Sequence, residues 1–329
     1  MFQRDFGTRT GVRTSALGLG CWAIGGPWTF DGKPAGWGEV DDDESVRAIR
    51  RALDLGVTLF DTADVYGCGH SERVLGRALA GRRDEAVIVT KVGNLFDERT
   101  RTGGGSDVSP AYVRSACDAS LRRLGTDRID VYLIHDGIDG PEGVPAVVEV
   151  LEELVAAGKI RWYGSSMSDP AIVRAMAEGP HMVAVEHELN VLRGELGALG
   201  AAEELGLASL NRTPLAMGLL GGRYRPGALP AADDVRRNAP WWDFFDEGGA
   251  MERWLELIAE ARSELTADGR TLAQGALGWI WGRSPVTFPI PGFRTVAQVE
   301  ENVRAAEHGP LPAERMERLR AIVGEPVPA

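Results

Sequence analysis

The sequence predicts an α/β fold: a parallel (β/α)8 TIM barrel with an N-terminal β-hairpin and a C-terminal helix. Three observations carry the prediction. A helix–glycine–strand unit recurs from residue 42 onward, which is the alternation of parallel β/α architecture. The strands number eight. Residues able to move protons stand at the exits of several different strands, where barrels carry their chemistry. Alternation alone fits a doubly wound sheet equally well; the count and the exits favour closure. The length of 329 residues suits one barrel, and no linker or composition break divides it, so residues 1–329 are read as one domain.

In order, residues 2–14 read as two short strands with Gly7 and Gly11 between them, and 16–21 as the first core strand. Within it, Gly18-Leu19-Gly20-Cys21-Trp22-Ala23 matches the dinucleotide fingerprint G-x-G-x-x-A. That fingerprint needs a helix to follow at once, so that its N-terminal amides meet the pyrophosphate. Here Ile24-Gly25-Gly26-Pro27-Trp28 follows, a loop, and no Rossmann site is assigned. Helix 42–55 ends at Gly56 before strand 57–60, and helix 71–80 at Gly81 before strand 86–90. Ser109-Pro110 gives an N-cap with proline in the first turn, opening a helix that Gly125 closes before strand 129–134. Helix 144–157 stops at Gly158 before strand 160–164. Asp169-Pro170 opens a helix ahead of strand 182–185, and helix 195–205 stops at Gly206 ahead of strand 207–210. Helices near 250–268 and 271–282, strand 286–289, and helices 295–306 and 312–322 complete the chain. Residues 99–105 read as a mobile βα loop. Residues 223–249 read as a lid whose Trp241, Trp242, Phe244 and Phe245 either face a substrate or pack on the barrel wall.

A composition of 44% hydrophobic and 26% charged residues supports a full core. The net charge of -12 disfavours a nucleic-acid partner. No apolar run approaches the roughly 20 residues of a membrane span, and no signal-peptide core opens the chain, so a cytoplasmic protein without a membrane partner is expected. Cys21, Cys68 and Cys117 are scattered and odd in number, which fits reduced thiols rather than disulfides or a metal site.

The chain is organised around Asp61-Thr62-Ala63-Asp64-Val65-Tyr66-Gly67, which leaves the strand at 57–60. Lys91 ends the run Val87-Ile88-Val89-Thr90, and His135 ends Val131-Tyr132-Leu133-Ile134. Singly, Asp61 could cap a turn, Lys91 could face solvent and His135 could be a core histidine. Together at matched strand exits they form a proton-relay set. Tyr66 is the natural acid for a carbonyl oxygen, although a free phenol has a pKa of about 10. Lys91 would lower that pKa, Asp61 would hold Lys91 as an ion pair, and His135 would orient the carbonyl.

These motifs resemble the aldo-keto reductase family over nearly the whole chain. The resemblance is also carried by Gly69-His70-Ser71-Glu72, Ala157-Gly158-Lys159-Ile160-Arg161, the segment from Pro214 to Gly221, Ile290-Pro291-Gly292-Phe293-Arg294, and Glu301-Asn302. It implies a nicotinamide cofactor, NADPH/NADP, lying across the C-terminal face, and a small-molecule carbonyl substrate. Transferred by motif, Gly20 and Trp22 line the nicotinamide end and Ser166 meets the carboxamide. Arg212 stands where the family often has a tyrosine stacked on the ring. Leu215, Gly218 and Leu219 run beneath the pyrophosphate with Arg223 near its charge, and Arg294, Gln298 and Asn302 hold the adenosine end. Two departures stand out: Met167 follows Ser166 where the family often has Asn, and Glu186 replaces a frequent Gln in the carboxamide pocket. Glu186 is expected to pair with Arg212, and His187 and Glu188 to point elsewhere. Arg294, at a helix start with no acid between 290 and 298, favours a 2′-phosphate and hence NADPH; pairing with Glu300 or Glu301 is the alternative. A Schiff-base aldolase using Lys91, and a cofactor-binding regulatory barrel with negligible turnover, are the competing functions.

Overall fold

The computed structural model describes residues 1–238 and 243–327. Eight parallel strands follow one another in chain order: Gly18–Gly20, Leu59–Asp61, Val87–Val92, Ile129–Ile134, Ile160–Ser165, Met182–Glu188, Ala208–Arg212 and Thr287–Pro289. The last meets the first through a parallel bridge between Gly20 and Gly292, with the Gly20 amide donating to the Pro291 carbonyl at 3.1 Å. Only glycine fits this seam: a Cβ on Gly20 would come 2.8 Å from the Ile290 oxygen, and one on Gly18 2.8 Å from Ile290 Cγ2. The G-x-G of the first strand is therefore the closure of a barrel, as the absence of a following helix predicts.

Alternate residues along the strands fill the interior. Leu59, Val89, Leu133, Ala184, Leu210, Phe288 and Ile290 form one buried cluster, and the next inward positions towards the C-terminal ends are polar. The N-terminal hairpin, Gln3–Asp5 with Arg13–Ser15, closes the other end. Its Phe6 stacks on Phe288 at 5.4 Å, and Arg4 takes the carbonyls of Trp281, Ser284 and Thr287 at 2.7–2.9 Å. The helices pack outside through a larger apolar cluster. The helix Pro110–Leu124 has the expected boundaries: Ser109 Oγ accepts from the Tyr112 amide, and Gly125 ends it at φ +64°.

Two loop expectations change. Residues 99–105 are not a bare loop, because Thr102–Ser106 pairs with Asn94–Asp97 and with Thr29–Phe30, which itself pairs with Lys33–Pro34. The glycines that hid this four-stranded roof allow the close approach of its hairpins: a Cβ on Gly103 would lie 2.9 Å from Phe30, and one on Gly104 2.5 Å from Asp31. In the segment 223–249, Phe244 and Phe245 are buried in an apolar cluster with Trp254 and Trp279 on the barrel wall. Trp241 and Trp242 lie outside the described residues. Among those described, no helix is long and apolar enough to cross a membrane.

Candidate active site

Asp61 is the last residue of the second barrel strand, Lys91 lies near the end of the third, and His135 directly follows the fourth. Tyr66 reaches them from the turn after the second strand. Gly67 fixes that turn at φ +60°, where a Cβ would collide with the Gly25 carbonyl at 1.9 Å. Lys91 is fully buried. Its Nζ donates to Asp61 Oδ1 at 2.6 Å, to the Thr62 carbonyl at 2.9 Å and to Tyr66 Oη at 3.5 Å. The rings of Tyr66 and His135 meet edge to face at 5.8 Å, and Trp22 stacks on Tyr66 at 5.9 Å with its indole fixed to the Ala35 carbonyl. The four residues expected at the strand exits thus come together.

Burial works against the Lys91 ammonium, but Asp61 and Glu186 hold its pKa above the ordinary lysine value. An amine so paired does not become the free base that Schiff-base chemistry needs, which removes the support for an aldolase. Burial pushes the Tyr66 phenol above its ordinary value; Lys91 pulls it down as expected, and Asp61 and Glu186 push it up again. Burial, with Lys91 and Arg212, holds His135 well below 6.5, so the imidazole is neutral.

The expected pairing of Glu186 with Arg212 is not found. Glu186 points into the barrel, where its Oε2 lies 3.2 Å from Lys91 Nζ. Arg212 Nη2 instead reaches Glu195 Oε2 at 3.2 Å, with Glu188 at 3.9 Å from Nη1. Glu188, two residues on, shares the face of Glu186 and lies beside Arg212. His187 alone turns away, bonded to Ser209 at 2.7 Å.

Around the tetrad opens a cleft of about 740 Å³. Gly20, Trp22, Ser166, Glu186, Arg212, Leu215, Gly218, Arg223, Arg294, Gln298 and Asn302 all line it. Leu219 does not: after the left-handed residues Met217 and Gly218, its side chain turns into the outer apolar core. Met167 packs against the other apolar cluster, behind the cleft. Arg294 pairs with neither Glu300 nor Glu301. Its guanidinium takes the Trp37 carbonyl at 3.0 Å and the Glu39 carbonyl, while Glu300 goes to Arg51. Sequence reasoning missed Arg236, whose guanidinium lies 4.7 Å from the Trp37 ring centroid and is anchored by Asp234. It also missed Asn94 and Asp136 at the substrate end. Only the roof hairpins bring these into reach, and nothing in their spacing announces it.

The sequence profile described as "Aldo/keto reductase family" matches residues 16–323. The chain belongs to that family. As an aldo/keto reductase it is an oxidoreductase. It is 33% identical over 299 residues to the aldo-keto reductase yakc of Schizosaccharomyces pombe, named for NADP(+), covering 88% of this chain and 83% of that one. Among solved structures, the glycerol dehydrogenase AKR11B4 from Gluconobacter oxydans superposes with a TM-score of 0.83 at 30% identity, covering 99% and 97% of the two chains. An aldo-keto reductase from Klebsiella pneumoniae in complex with NADPH gives 0.69 at 27% identity, with 99% and 97% covered.

Proposed function

We propose that this aldo/keto reductase uses NADPH to reduce the carbonyl of an aldehyde or ketone, with Tyr66 as the general acid. The observation that carries the reading is the Lys91 ammonium set between Asp61 at 2.6 Å and Tyr66 at 3.5 Å, at the floor of the cleft. The residues present suit the cofactor. Arg212, Arg223 and Arg294 supply cationic character along the cleft, Gly218 offers backbone without a side chain at φ +95°, and Asn302 is a buried amide at the far end. The nicotinamide, when bound, supplies the hydride.

Tyr66 gives its proton to the carbonyl oxygen as the carbonyl carbon gains hydride, so the O–H bond of the phenol breaks and that of the alcohol forms. The Lys91 ammonium steadies the phenolate left behind. His135 Nδ1 is buried without a hydrogen-bond partner. A bare ring nitrogen there costs less than a buried N–H with no acceptor, which puts the single proton of the neutral ring on Nε2, where it can be donated to the carbonyl oxygen. Trp22, Trp28, Phe30 and Trp37 give the substrate end apolar walls, with Asn94 and Asp136 as its polar groups.

The test is to incubate the protein with deuterium-labelled NADPH and a panel of aldehydes and ketones, and to analyse the alcohols by mass spectrometry. Transfer of deuterium to carbon is expected. Tight NADPH binding with no product across the panel would favour the regulatory barrel instead.

A further inference from the structure

Resting on the reading of Tyr66 as the acid, we propose that Glu186 is a second counter-ion of Lys91 that keeps the Tyr66 phenol protonated, biasing the site towards carbonyl reduction and against alcohol oxidation. The geometry is unusual in its charge count. One fully buried ammonium faces two carboxylates, Asp61 at 2.6 Å and Glu186 at 3.2 Å, with exposures of 3% and 1%. Asp61 alone would complete a neutral pair. The Glu186 carboxylate leaves the trio one negative charge in excess, and its Oε2 makes no hydrogen bond that would tie its charge elsewhere.

The phenol that must ionise lies 3.5 Å from the same ammonium. Placing a phenolate beside two buried carboxylates costs more than placing it beside one, because like charges within about 4–6 Å shift a pKa by 1–3 units. No other group facing this centre cancels the excess. His135 is neutral, and the Cys21 thiol is pushed up by burial and stays protonated. Asp64, behind the turn, is itself pushed well up by burial and by Glu72. Arg212 is engaged by Glu195 and Glu188. An uncharged amide at position 186 would leave Lys91 free to stabilise the phenolate, which is the form that accepts a proton from an alcohol.

The test needs no turnover. Protein carrying ¹³Cζ-tyrosine is titrated by NMR without cofactor, as wild type, Glu186→Gln and Glu186→Asp, with Tyr66→Phe identifying the Tyr66 signal among the five tyrosines. In Glu186→Gln the Tyr66 signal is expected to begin its ionisation shift at least about one pH unit lower than in wild type. Glu186→Asp, which keeps the charge, is expected to stay near wild type. The other four tyrosine signals report whether each variant keeps its fold. A second measurement follows the pH profiles of both directions of the reaction, whose limbs are expected to move downwards together in Glu186→Gln. An unmoved Tyr66 signal in a folded Glu186→Gln, or the same displacement in Glu186→Asp, overturns the proposal. Wild-type activity in Tyr66→Phe overturns the underlying reading of Tyr66 instead, so the two failures are distinguishable.

Discussion

Arg212 Nη2 stands 3.2 Å from Glu195 Oε2, and the same carboxylate accepts the Glu188 amide at 2.6 Å. A guanidinium placed beside the nicotinamide subsite opposes the oxidised ring, which is cationic, unless its charge is offset. Glu195 supplies the offset that Glu186 was expected to supply. Glu195→Gln should therefore weaken NADP⁺ binding more than NADPH binding, by up to about five-fold for a partly exposed pair. Fluorescence titration with each form measures this, and equal losses for both forms would contradict it.

Lys91→Met should destabilise the fold by roughly 3–5 kcal/mol, because it leaves Asp61 and Glu186 buried without a cation. In the variant these carboxylates have pKa values raised by burial, so the loss should grow as pH rises through them and shrink in acid. Urea unfolding at two pH values measures both effects. Lys91→Met with Glu186→Gln should recover part of the loss, since it removes one of the two unpaired charges.

The acid limb of stability has a named contributor. Burial holds His187 at a pKa of about 4. The ring is neutral, with Nδ1 at 3.1 Å from the Glu188 carbonyl and Nε2 at 2.7 Å from Ser209 Oγ. The unfolded chain takes up a proton near pH 6.5 and the folded one only near 4. Stability is therefore unaffected above about 6.5 and falls as pH drops through that window, by roughly 3 kcal/mol. His187→Gln should be weaker at pH 7 yet lose less between pH 6.5 and 4.5. A slope equal to that of wild type would contradict this origin.

Much of this was legible in the sequence because it depends on local spacing. Strand 129–134, the helix opened by Ser109-Pro110, and the positions of Asp61, Lys91 and His135 at strand exits all follow from apolar runs, caps and terminators. What depends on distances across the barrel was not legible. Strand parity places Glu186 on the inner face but cannot choose between Lys91 and Arg212; strand tilt and stagger decide that. The roof sheet was hidden for a related reason. Gly103, Gly104 and Gly105 look like loop in one dimension, and the contact that requires glycine there comes from Phe30 and Asp31, some seventy residues away. The net rise of the Tyr66 pKa was also out of reach, because burial and a second carboxylate outweigh the lysine.

Arg294 bears on the choice between the two nicotinamide cofactors. It stands at the opening of helix Val296–His308, on the carbonyls of Trp37 and Glu39, with no carboxylate partner among the described residues. NADPH should be used in preference to NADH. Arg294→Ala should raise the KM for NADPH about ten- to a hundred-fold, the worth of a charge-assisted bond, and barely change that for NADH. Comparable use of both cofactors by the wild type would contradict the 2′-phosphate assignment.

The assignment of Tyr66 as the acid is tested most directly by the rate of carbonyl reduction in Tyr66→Phe at saturating NADPH. The change removes one oxygen from a ring that Trp22 and His135 hold in place, so fold and cofactor binding should persist while the rate falls by ~10²–10⁴-fold. A rate within a few-fold of wild type would show that the proton comes from elsewhere.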